Sequence, residues 1–269
     1  MALFSKKDLT YMASTITAAQ AAKQIIKTLK AAGNPDRAAQ SRIFYKDYED
    51  VRFYGLAVPE ARAVEREFFA AIKSSGKGIW TLEDALALCD LLIRERELEA
   101  KQIGIEVLAR FKRQFTPALL ETIKGWLADN HCSNWATTDG LCSALLAPVL
   151  QKHPELIAEL KRWTREENLW VRRASAVPLV GFARRGQHLD DAYEIAEALL
   201  GYPEDLIHKA TGWLLRDAGK TDAARLEAFL LRHGPRIPRT ALRYAIEKFS
   251  PEKRKILLAE TKPLKAAEN

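Results

Sequence analysis

The sequence predicts an all-α protein, a curved solenoid of paired antiparallel helices. Three observations carry that expectation. Ala and Leu cluster with Lys, Glu, Arg and Gln along most of the 269 residues, and these side chains accommodate helix geometry readily. There is little of the β-branched alternation that a sheet needs. Polar caps, glycines and prolines divide the chain into stretches of about one helix each.

The elements follow in order. TITAAQAAKQIIKTLKAAG, from Thr15, ends near Gly33, where Asn34 and Pro35 follow. Pro59 can open a helix through EARAVEREFFAAIKSS, because its missing amide would be an orphan in the first turn. Thr81 caps TLEDALALCDLLI with Asp84 at the third helical position. RERELEAKQIGIEVLARF, Pro117 to Asp129 and SNWATTDGLCSALLAPVL come next, with Pro148 expected to bend or end the last. His153-Pro154-Glu155 opens ELIAELKRWTREE. Asn168 caps LWVRRASAVPLVGFARR, which Pro178 should interrupt. Asp190 or Asp191 opens DDAYEIAEALLG, Pro203 precedes EDLIHKATGWLLRDAG, Thr221 caps DAARLEAFLLRH, and Pro238 precedes RTALRYAIEKF.

These helices read as pairs. Trp126 and Trp163 sit in IKGWLADN and LKRWTREEN, 37 residues apart, each followed by a polar cap and a second helix. Aligning the second helices on Asp139, Arg173, Lys209 and Arg239 gives steps of 34, 36 and 30 residues, dimensions of an irregular HEAT-like two-helix repeat. The expected organisation is an N-terminal segment over residues 1–15, one HEAT-like repeat domain over 16–258 and a flexible tail over 259–269. If the second helices line the concave side, those four polar positions lie along one groove.

The chain carries 42 Lys plus Arg against 35 Asp plus Glu, a formal +7, with 48% hydrophobic residues. That composition supports a packed core and argues against extensive disorder. Both halves are mildly basic. Two basic runs, Lys161 to Arg185 and Arg232 to Lys255, flank an acidic stretch from Asp190 to Asp205. Such a balance suits a phosphate-bearing partner without requiring one. Apolar runs fall short of a membrane span, and Met1 to Tyr11 lacks the form of a cleavable leader, so the expectation is an intracellular protein, cytoplasmic if bacterial. Cys89, Cys132 and Cys142 are too few for a disulfide scaffold. His131, Cys132 and Cys142 make no convincing zinc signature, and no glycine loop suits NAD or ATP, so no cofactor or metal is expected.

The segment HCSNWATTDGLC, residues 131–142, is the most informative. Trp135 and Asp139 are four residues apart and share one helical face. Alone, the pair reads more readily as a core tryptophan and a carboxylate engaged with a neighbouring helix or capping one than as catalytic groups. NLWVRRASA downstream adds Trp170, Arg172 and Arg173.

The chain resembles the alkylation-repair DNA glycosylases with HEAT-like repeats, over roughly residues 41–249. The resemblance rests on the serial order of FYGLAVPEAR (53–62), RERELEA (94–100), SNWATTDGLC (133–142), HPEL (153–156), NLWVRRASAV (168–177) and HKATGWLLRDAGK (208–220). It implies that Trp135 contacts a deoxyribose, Asp139 supports charge developing on the sugar and positions water, and Arg173 holds the adjacent phosphate. It places Trp213 at the sugar or backbone; Arg172, next to Arg173, reads either as a further phosphate ligand or as a helix-surface residue. Lys209 and Arg239, from the repeat register, and Arg243, in the second basic run, complete the candidate DNA contacts. The family often has a tryptophan before the Trp135 position and an aspartate after it, where this chain has Asn134 and Ala136. The implied activity is metal-independent hydrolysis of the N-glycosidic bond of cationic N3- or N7-alkylpurines, by a monomer acting on double-stranded alkylated DNA in base excision repair. A noncatalytic binder of damaged or branched DNA, and a HEAT-like protein-interaction scaffold, are the alternative readings.

Overall fold

The computed structural model describes residues 16–74 and 80–262, and within them it is all-α, with no strand. The expected segment 1–15 lies outside the described residues, as does the tail from 263. Contacts divide the chain into two compact units, residues 1–149 and 150–269.

The first unit opens with α1 (Ala18–Ala32), whose Thr17 side chain accepts from the Gln20 amide while Gln20 accepts from the Thr17 amide, a reciprocal capping box. α2 (Pro35–Arg42) was not anticipated as a helix, although Asn34 caps it and Pro35 starts it. Having almost no apolar face, it gives little periodic signal and buries none of its own residues. α3 (Val58–Ser74), α4 (Leu82–Ile93) and α5 (Leu98–Ala109) follow. Thr81 and Asp84 form the expected capping box of α4. Only four residues join α4 to α5, and this pair packs most extensively in the unit, with α1 against α4. Leu88, Leu92, Ile93, Ile103 and Leu108 are fully buried there. α6 (Ala118–Ala128) and α7 (Trp135–Leu141) complete the segment that carries the site. Pro148 does not end the next helix. A π turn over Cys142–Leu146 widens the backbone, with the Ala147 amide donating to the Cys142 carbonyl, and α8 (Ala147–Lys152) continues through the proline.

The second unit contains α9 (Ile157–Trp163), α10 (Leu169–Ala176), α11 (Val180–Ala183), α12 (Leu189–Leu199), α13 (Asp205–Ala218), α14 (Ala223–His233), α15 (Arg239–Ala245) and α16 (Pro251–Glu260). Pro178 acts as expected: a 3-10 turn over Val177–Leu179 separates α10 from α11. Two expected caps are corrected. Asp190 and Asp191 lie in the first turn of α12 behind His188, and Asp222, not Thr221, accepts from the Arg225 amide to cap α14. The Thr221 hydroxyl instead donates to the Ala218 carbonyl at the end of α13, which also accepts from the Thr221 and Asp222 amides. α16 was not anticipated and runs to Glu260, two residues beyond the expected domain boundary.

α13 and α15 pack most closely in this unit. A Cβ on Gly212 would lie 2.5 Å from the Ala241 carbonyl oxygen and from the Tyr244 Cβ, so this glycine sets the approach. The buried Asp217 carboxylate accepts from Arg184 at 2.8 Å and pairs with Lys220. Burial raises its pKa, but these partners outweigh burial and leave it below the ordinary value. The acidic stretch does not form a separate surface. Asp191 and Glu194 pair with Lys161, Asp190 with Arg225 and Glu197 with Arg232, so acids and bases interleave.

Candidate functional site

α7 begins at Trp135 because the preceding Asn134 is extended and its side chain accepts from the Thr137 amide at 2.8 Å. Asn134 is fully buried. It therefore acts as a cap beneath the helix rather than as an exposed surface beside Trp135. The first-turn amide of Trp135 donates to Glu49 Oε1 at 2.8 Å, while Glu49 Oε2 accepts from the Lys46 amide at 2.8 Å. A carboxylate at this end complements the helix dipole as well as an orphan donor. Glu49 is 2% exposed and comes from a loop 86 residues earlier.

Tyr45, from the same loop, stacks on Trp135 with ring centroids 5.3 Å apart and planes 17° from parallel. Phe53 packs tilted on the other partner of this stack, 5.4 Å from Tyr45. Asp139, one turn beyond Trp135, is half-buried, as is Trp135. The Tyr45 hydroxyl is pushed up to about 12, first by burial and then by the carboxylates of Glu49, Glu99 and Asp139. The phenol is thus neutral across the physiological range, in a field of three acids.

Two further contacts hold the segments around α7. Glu99, buried on α5, accepts from the amides of Tyr54, Gly55 and Leu56 at 3.1, 2.8 and 3.1 Å, fixing the turn after Phe53. Gly55 has φ +85, and a Cβ there would lie 2.0 Å from the Asn34 carbonyl oxygen, so no other residue fits without rearrangement. Lys101 donates to the carbonyls of Ile93 and His131 at 2.7 and 2.6 Å, pinning the connection from α6 to α7. Burial lowers the Lys101 pKa and pushes the neighbouring Cys132 thiol up to about 12. Cys89 and Cys142 are fully buried as well.

The sequence-derived candidates in the second unit face different surroundings. Arg172 is 5% exposed. Its guanidinium donates to the Glu166 and Glu167 carbonyls at 2.7 Å each, pairs with Glu204, and lies 4.5 Å from the Tyr202 ring centroid. Arg173 is 4% exposed and donates to the Leu206 carbonyl. On α13, Lys209 pairs with Asp205 at 2.8 Å, and Trp213 is half-buried. Arg239 donates to the Leu258 carbonyl at 3.1 Å and the Thr261 hydroxyl at 3.2 Å. Arg243, one turn along α15, is exposed. Trp135 and Asp139 thus share α7 in the first unit, whereas the other candidates belong to the second.

Tyr45, Glu49, Phe53 and Glu99 were not singled out in the sequence. The available signal was the mixture of aromatic and acidic residues in FYKDYEDVRFYGL, but nothing local to it points to a helix 86 residues away.

Residues 25–249 match the model of a family described as DNA alkylation repair enzyme. No curated protein matches at a significant level. Among solved structures, a predicted DNA alkylation repair enzyme from Enterococcus faecalis is similar, with a TM-score of 0.69 at 17% identity, covering 81% of this chain and 97% of that one. At that identity the likeness shows the shared all-α fold. The family assignment rests on the matched span, which covers most of the sequence and includes α7 with its tryptophan and aspartate: the chain belongs to the DNA alkylation repair enzyme family.

Proposed function

We propose that this protein is a DNA glycosylase that hydrolyses the N-glycosidic bond of cationic N3- or N7-alkylated purines in duplex DNA. The observation that carries the reading is α7 itself. It presents a half-buried tryptophan and a half-buried carboxylate one turn apart, with the tryptophan backed by Tyr45.

The alkylated purine carries a positive charge before reaction. When its bond to C1′ breaks, the bonding electrons pass to the base and neutralise it, while positive charge grows on the sugar. Asp139 stabilises that charge and orients the water that adds to C1′; the water's surplus proton passes to solvent. Because the base leaves neutral, neither a general acid nor a Lewis acid is needed at the leaving group, and the reaction is metal-independent. Trp135 keeps one face on Tyr45 and offers the other to the sugar, where its π electrons favour developing cationic character. Arg173, Lys209, Trp213, Arg239 and Arg243 supply backbone contacts. Arg173, enclosed and anchored on the Leu206 carbonyl, contributes fixed charge to a phosphate rather than a mobile grip. Arg172, with its guanidinium engaged by Glu166, Glu167 and Glu204, chiefly braces α10.

The decisive experiment follows release of free base from a duplex containing one N7-methylguanine, with chelator present and with unmodified duplex as control. Release from the lesion strand alone is the expected outcome. Tight lesion binding without release would replace this reading with that of a noncatalytic damage binder, and absence of both would reopen the scaffold reading.

A further inference from the structure

Most cations described in the second unit have an acceptor beside them, but most of those in one cluster do not. A surface groove of about 710 Å³ lies between α15 and α16. Arg239, Arg243, Arg254, Lys255 and Lys262 line it, and no carboxylate does. Arg239 is tied to the end of α16 through the Leu258 carbonyl and Thr261. The other four lie within salt-bridge distance of no carboxylate among the described residues. Their neighbours Lys248 and Lys253 do have such partners, Glu247 and Glu227. Glu252 and Glu260, on α16 itself, line none of the groove.

Glu252 is near enough to Arg254 to feel its charge, but with no carboxylate inside the groove the gathered cations repel one another, so the arrangement is most stable with an anion between them. Apolar Ile246, Leu258 and Ala259 share its lining. That combination matches a nucleic-acid strand, which offers phosphates at regular intervals and sugar C–H surface between them. Arg254 and Leu258 lie one turn apart on α16, and Lys262 follows in the turn that continues past Glu260, a span of about 12 Å. With one phosphate per about 3.4 Å of axis on each strand, that length covers three to four phosphates.

We propose that the α15–α16 groove is a phosphate-backbone clamp for duplex DNA, with Arg243, Arg254, Lys255 and Lys262 as its contacts and Arg239 as its fixed inner charge. It rests on the DNA reading above in respect of Arg239 and Arg243, and extends it to a helix that no motif covers. The clamp reads no base, so it binds lesion-free and lesion-bearing duplex alike.

The test is the salt dependence of binding to an unmodified fluorescent duplex, read by anisotropy. The full-length protein is compared with an Arg243→Gln/Arg254→Gln/Lys255→Gln variant. A Lys23→Gln/Lys27→Gln/Lys30→Gln variant, altered on the exposed side of α1, serves as the control of equal charge. Circular dichroism melts establish that all three are folded. Loss of three phosphate contacts should flatten the slope of log K against log salt by about 2 to 3, with weaker binding at every salt concentration. The control should keep the parent slope within about 1.

An unchanged slope in the groove variant overturns the clamp. Equal flattening in both variants also overturns it, because net charge would then account for the effect. If the parent protein fails to bind duplex, the clamp is wrong and an acidic peptide becomes the remaining occupant. Base release is scored separately: flattening in the groove variant with no release by the parent upholds the clamp while removing the glycosylase reading.

Discussion

The surroundings of α7 and of α10 use polar groups in opposite ways. At α7, buried carboxylates work from behind: Glu49 holds the amide of Trp135, Glu99 holds the loop that carries Phe53, and Asp139 and Trp135 stay half-exposed in front. At α10, two adjacent arginines turn inward, and carbonyl oxygens with Glu204 accept from their terminal guanidinium nitrogens. The motif around Arg172 and Arg173 is as conspicuous in the sequence as that around Trp135. The difference teaches that a basic motif can be spent on internal acceptors, and that an accessible reactive pair depends on partners supplied from elsewhere in the chain.

The sharpest way to break this contrast is Asp139→Asn. It should lower lesion-base release at saturating protein by about 10²- to 10³-fold, the usual scale for removing one transition-state electrostatic contact, with duplex affinity nearly unchanged. Equal losses in binding and release would remove Asp139 from the chemistry. Arg172→Met probes the other side. It forfeits two carbonyl bonds, an ion pair and an aromatic contact, so urea unfolding should show a loss of about 2 to 3 kcal/mol. Release per folded molecule should persist. Undiminished stability with weakened DNA binding would mean that Arg172 turns outward.

Glu49 distinguishes support from chemistry within the α7 region. Glu49→Ala removes the acceptor for the Trp135 amide and should cost about 1 kcal/mol of stability, with release falling up to about tenfold. Glu49→Gln retains an oxygen at that place and should recover most of the release. If both variants release base at the parent rate, Glu49 has no positioning role. The smallest effect belongs to the Tyr45 hydroxyl. Its pKa is raised to about 12 in the folded protein from an ordinary 10.0, so ionisation favours the unfolded chain. The associated stability is complete below pH 10 and is lost as pH rises through about 12. Tyr45→Phe should make unfolding free energy fall less steeply over that interval, while keeping the stack on Trp135 and the release rate. An identical pH slope in parent and variant would show that the phenol is not enclosed as described.

Much of the fold was legible because its signals are short-range. The caps at Thr81 and Asn168, the interruption at Pro178 and the 3.6-residue periodicity all operate within one or two turns. α2 was missed for the matching reason: without an apolar stripe, only Asn34 and Pro35 marked it. Pro148 interrupts the α-helix without ending it, because a π turn upstream relieves the constraint that proline imposes. At the site, Trp135 and Asp139 could be paired on one face from spacing alone. Tyr45, Glu49 and Glu99 could not be attached to them, since nothing in a segment announces which distant amide or ring it will meet.

Most helix boundaries, the all-α class and the Trp135–Asp139 face were therefore already present in the order of residues, since helix formation is governed by near neighbours. Folding in three dimensions settled which charges were consumed and which remained available. It enclosed Arg172 and Arg173, interleaved the acidic stretch with both basic runs, and left four of the α15–α16 cations outside salt-bridge distance of any carboxylate among the described residues. The reason is that burial and hydrogen bonding depend on distance in space, and packing brings Glu49 to Trp135 across 86 residues of chain.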